Sequence, residues 1–66
     1  MQVTVNGRNE ELPAGSSVGA LVERLGFGKA RLAIELNKSI VEHGRWDEAL
    51  LEEADNVEIV EFVGGG

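Results

Sequence analysis

His43 is the one histidine in the 66-residue sequence, and there is no cysteine. Nucleophilic catalysis would set a hydroxyl beside that imidazole with an acid to orient it. Ser16, Ser17 and Ser39 are the candidate hydroxyls, and none lies in a nucleophile-elbow pattern. Without thiolates, His43 would need several carboxylates around it to hold zinc. Acids are plentiful, but pairing two of them for acid–base work needs a cleft, and so short a chain offers little depth. Gly26-Phe27-Gly28-Lys29 is superficially like a phosphate loop, yet it lacks the preceding strand, the glycine spacing and a Ser or Thr after the lysine; a helix cap and connector is the simpler reading. These residues predict a chain that is not an enzyme and that folds without metal, disulfide or cofactor.

One reactive group remains, the carboxylate of Gly66. Gly64-Gly65-Gly66 follows directly on a strand pattern, with no polar linker between. Glycine has no Cβ, so such a tail can thread a narrow channel that a bulkier residue would block. Three extended residues reach roughly 10 Å. The expectation is a folded domain over 1–63 and a flexible tail over 64–66, with Gly65 and Gly66 as the working end. The same glycines would also suit a frayed terminus.

Charge narrows the class of partner. The net charge is −6, but residues 1–45 hold six Lys/Arg against five Asp/Glu, while residues 46–66 hold seven acids and no base. Nucleic-acid binding needs clustered Lys and Arg, and an anionic membrane surface would repel the acidic third. A protein with a basic groove fits better, although the acids could equally serve only to keep a small domain dissolved. There is no apolar run of bilayer length and no signal-peptide pattern at the start. A cytoplasmic chain, monomeric when free, is expected.

The elements that must carry this end are legible from periodicity. Gln2-Val3-Thr4-Val5 alternates into Asn6-Gly7, the strongest short hairpin signal, and a return strand spans Arg8 to Leu12, closed by Pro13. Ser16 or Ser17 can cap a helix over about 17–25, where Val18, Leu21, Val22 and Leu25 form one stripe and Gly26 suits a left-handed cap. Leu32, Ile34 and Leu36 alternate in a third strand, Asn37-Lys38 turns the chain, and Ser39–Glu42 is a short fourth strand. Trp46, Ala49 and Leu50 share helical spacing, with Trp46 covering one end of the core. Val57 to Val63 is the last strand. The order ββαββ, a helical turn, then β predicts an α+β fold: a mixed sheet of about five strands with one main helix on one face, the ubiquitin-like β-grasp arrangement.

In the last strand, Val57 and Ile59 facing the helix would put Glu58, Val60 and Phe62 on the bare face. Val60 and Phe62, with the acids Glu58 and Glu61 and the tail from Gly64, would then form a docking patch. A β-bulge at Ile59-Val60 would instead return Phe62 to the core. The pattern leaves both open. Trp46 reads as core, Lys29 and Lys38 as solvated.

The whole chain resembles the ThiS family of thiamin-biosynthesis sulfur carriers and, more loosely, MoaD and ubiquitin-like proteins. The resemblance lies in Met1-Gln2-Val3-Thr4-Val5-Asn6-Gly7, the Ser17-Val18 helix start with Leu21 and Leu25, Ala33-Ile34-Glu35-Leu36-Asn37 running into Ile40-Val41, Trp46, Val57-Glu58-Ile59-Val60, and Gly65-Gly66. The family's usual Gly-Asp turn before the last strand is Ala54-Asp55 here, which puts that turn's geometry in question. The resemblance implies that an ATP-dependent, ubiquitin-activating-type enzyme adenylates the Gly66 carboxylate. A sulfur donor then displaces AMP to leave a thiocarboxylate, and thiazole synthase takes up the sulfur. A MoaD-like subunit of molybdopterin synthase, a modifier conjugated to lysines through Gly66, and an interaction module with an inert tail are the alternatives.

Overall fold

A computed structural model describes residues 1–28 and 30–62. Lys29, Val63 and the expected tail, with Gly64, Gly65, Gly66 and the boundary drawn at 63, lie outside the described residues. Strand β1, Gln2–Val5, and β2, Arg8–Glu11, form the first hairpin. Asn6 (φ 49°) and Gly7 (φ 82°) both adopt the left-handed region that a type I′ turn requires. The return strand ends at Glu11, one residue short of the expected Leu12, which follows it as a buried residue with its N–H donating to the Met1 carbonyl at 2.9 Å.

Helix α1 runs Val18–Arg24. Ser17 is its N-cap, with Oγ accepting from the Ala20 N–H at 3.0 Å, and Gly26 follows the C-terminus at φ 77°. Val18, Leu21 and Val22 are buried and Leu25 is half-buried, so the stripe read from spacing is the face laid on the sheet. Gly19 lies beside the exposed Asp47 side chain. Its N–H donates to the Trp46 carbonyl at 3.0 Å, and a Cβ there would run into the Asp47 carboxylate.

Strand β3 (Arg31–Leu36) and β4 (Ser39–Ile40) make the second hairpin, and β5 spans Asn56–Phe62. The sheet order is β2-β1-β5-β3-β4, with β1 and β5 parallel and the other neighbours antiparallel. Val3 and Val5, Ile34, and Val57 and Ile59 meet the helix stripe, and Leu12, Trp46 and Leu51 close the core.

Three further expectations need correction. Strand β4 stops at Ile40 instead of Glu42: Val41 still gives its N–H to the Ile34 carbonyl in register, but its own carbonyl is turned to accept from Trp46 Nε1 at 3.0 Å. Trp46, Ala49 and Leu50 do not share a helical face. A 3₁₀ turn covers His43–Arg45, and by Leu50 the chain is extended, bridging Ser17, with the Leu51 N–H donating to the Ser16 carbonyl. Extended backbone alternates its side chains, so Leu51 is buried and Leu50 stays 62% exposed. Finally, Ala54 keeps the left-handed conformation (φ 71°) that a glycine would supply, with its N–H donating to the Gln2 carbonyl at 2.7 Å. The alanine bears the strain and the turn is formed.

Candidate functional site

The β3–β5 ladder runs without interruption from Leu36↔Val57 to Arg31↔Phe62. A bulge would offset that register by one residue; none occurs, and the phase set by Val57 carries through to Phe62. Val57 (0% exposed) and Ile59 (6%) therefore face the helix, while Val60 and Phe62, both 56% exposed, stand on the bare face. Of the expected docking residues, the strand brings together Glu58, Val60 and Phe62. Alternation sends Glu61 to the helix side, where it is exposed opposite Leu32.

The same register adds residues that sequence reasoning missed. Ala33 lies opposite Val60, Arg31 opposite Phe62, and Glu35 opposite Glu58. Ile40 pairs with Glu35 and is 74% exposed, so it extends the apolar surface across β3. Counting outward from the Asn37-Lys38 turn would have placed Ile40 there. Glu35 and Glu58 put two carboxylates directly across a ladder, an arrangement that opposes pairing.

Two of the hydroxyls considered as nucleophiles serve local structure, and the third, Ser39, lies exposed on β4. Ser16 Oγ donates to the Pro13 carbonyl at 2.7 Å, and Ser17 Oγ caps the helix. The ring of His43 lies 4.3 Å from that of Trp46, centroid to centroid, at the surface. Among the described residues no group of three His, Cys, Asp or Glu is placed to hold a metal ion, and no helix is long and apolar enough to cross a membrane. What the arrangement offers is a surface: an apolar strip edged by carboxylates, on the strand that leads toward Gly66.

The ThiS family's sequence pattern matches residues 3–66. The chain belongs to the ThiS family. A solved ThiS protein of Geobacter metallireducens, described as a thiamine biosynthesis protein, superposes over the full length of both chains with a TM-score of 0.84 at 30% identity. Over 66 residues the chain is 27% identical to the whole of the Escherichia coli sulfur carrier protein ThiS. It is 36% identical to part of a thiazole synthase of Magnetococcus marinus, and it spans a fifth of that protein's length, as it does for a second thiazole synthase, from Paramagnetospirillum magneticum. The β-grasp arrangement expected from the element order is thus the arrangement of this ThiS family member.

Proposed function

We propose that this chain is a sulfur carrier for thiamin biosynthesis, a protein cosubstrate and not an enzyme, working in the cytoplasm as a free monomer. The observation that carries the proposal is a full-length match to ThiS proteins. A carboxylate is a poor electrophile, so sulfur can replace its oxygen only after activation. Attack of the Gly66 carboxylate on the α-phosphorus of ATP, releasing pyrophosphate, gives an acyl-adenylate. A sulfur nucleophile then displaces AMP and leaves the thiocarboxylate. An ATP-dependent activating enzyme must supply the first step and a sulfur donor the second.

Thiazole synthase is the proposed acceptor. Proteins of that name carry a segment like this chain within one polypeptide, which supports a carrier that meets the synthase directly. Glu58, Val60 and Phe62 form the proposed docking strip, with Glu61 on its flank. Gly64 and Gly65 let the end reach a buried nucleotide, and Gly66 bears the sulfur.

The test is intact-protein mass after incubation with ATP, a sulfide source and the activating enzyme. Wild type should exchange one oxygen for sulfur. Deleting Gly65 and Gly66, changing Gly65→Val, or adding one residue after Gly66 should each abolish the exchange and leave folding intact. An isopeptide-linked product in place of a thiocarboxylate would support the modifier alternative. A wild type that never gains sulfur, or an extended variant that reacts equally well untrimmed, would overturn the carrier function.

A further inference from the structure

The two hairpin turns share a device. Asn6 and Asn37 each open a two-residue turn, both at φ 49°, and each side chain reaches the backbone of β5. Asn37 Oδ1 accepts from the Asn56 N–H at 2.9 Å, at the start of the strand. Asn6 Oδ1 accepts from the Ile59 N–H at 2.7 Å, and its Nδ2 donates to the Ile59 carbonyl at 3.0 Å.

The two grips differ in what else holds the strand. Around Asn56, β5 is already paired with Thr4 of β1, and the Asn37 N–H donates to the Asn56 carbonyl at 2.7 Å. At Ile59, β1 has turned away, its pairing with β5 having ended at Val5↔Val57. The Asn6 carboxamide supplies one acceptor and one donor where the next β1 residue would have stood. Past Ile59, residues 60–62 are paired in the ladder with β3 alone.

We propose that Asn6 is a positioning residue for docking: its carboxamide fixes the outer half of β5, and with it Val60 and Phe62, in the orientation that the activating enzyme meets. The inference rests on the carrier function proposed above. A strand held from one side samples several orientations, and apparent affinity falls in proportion to the fraction that is competent. The grip on Ile59 keeps that fraction high without itself touching the partner. Its loss therefore acts on KM for the carrier and spares kcat, since the docked complex is the same.

Asn6→Gly removes the grip and keeps the turn, because Gly-Gly also satisfies type I′ geometry. Asn37→Gly is the matched control, deleting an asparagine of the same conformation at the other end of β5. Both variants should melt at lower temperature. In ATP–pyrophosphate exchange with the activating enzyme, Asn6→Gly should raise the carrier's KM about tenfold with kcat held within about twofold. Asn37→Gly should match wild type in both constants. Asn6→Asp, which keeps the acceptor and loses the donor, should fall between wild type and Asn6→Gly. An unchanged KM in Asn6→Gly, or equal rises in both glycine variants, overturns the inference and leaves the carrier function standing. A wild type that supports no exchange removes the carrier function, and the inference with it.

Discussion

Strand β5 carries four large apolar side chains with opposite fates. Val57 and Ile59 are sealed under the helix, whereas Val60 and Phe62, made of the same kind of surface, lie open on the other side of the sheet. Chemistry does not distinguish the pairs; parity along the strand does. The inner pair is held by the burial of apolar area, about 25 cal/mol per Å² removed from water. The outer pair gains little of this in the free chain. Under the proposed carrier function, this open apolar surface is where a partner protein would complete the burial.

Breaking the inner side should have the largest effect. Ile59→Ala should cost roughly 2–5 kcal/mol, the usual range for emptying a core position, measured by denaturant unfolding. A loss well below that would mean that β5 is not anchored through its inner face. Phe62→Ala is the matched change outside. A core phenylalanine would cost about 3–5 kcal/mol, so a loss below about 1 kcal/mol, together with a clear rise in KM for the activating enzyme, is the expected result. A large drop in melting temperature would place Phe62 in the core and erase the contrast.

The acids sharpen the comparison further. If they steer a basic partner onto the outer face, the association rate constant should fall by about tenfold or more between low and high salt. A flat response would reduce them to solubilising groups. Smallest of all is Glu35→Gln, which relieves the repulsion facing Glu58 and should stabilise the free chain by a few tenths of a kcal/mol. Should stability fall instead, that pair of carboxylates is not opposed as the register implies.

Much of this architecture is legible in the sequence because the signals are local. Asn6-Gly7, the stripe Val18-Leu21-Val22-Leu25 and the Ser17 cap each depend on neighbours within a few residues, and each is found where periodicity puts it. The orientation of Phe62 is not local. Whether β5 bulges depends on its pairing with β3, some thirty residues away in the chain, and only the continuous register decides it. Leu50 and Leu51 show the same limit: a spacing that reads as helix is overridden when Leu51 donates to Ser16 and draws the segment out straight. Ile40 has no periodicity to reveal it on a two-residue strand, and only counting outward from the Asn37-Lys38 turn places it opposite Glu35. The Asn6 and Asn37 side chains form turns, as Asn-Gly and Asn-Lys signal; their reach to β5 follows from strand pairings, parallel for Asn6 and antiparallel for Asn37, that turn chemistry does not encode.

Ala54 shows where this domain has stopped short of its own optimum. Its left-handed backbone is one that an L-residue enters at a cost of order 1–2 kcal/mol, yet the turn it occupies ties the Gln2 carbonyl to the approach of β5. The strain is a reserve that a single replacement can release. Ala54→Gly should raise the melting temperature without moving any neighbour, and an unchanged or lower value would show that the strain does not exceed the freedom a glycine adds to the unfolded chain. Until released, that reserve leaves the fold less margin for absorbing other substitutions, so changes elsewhere in so small a core should prove more damaging in this chain than in one bearing glycine at the same turn.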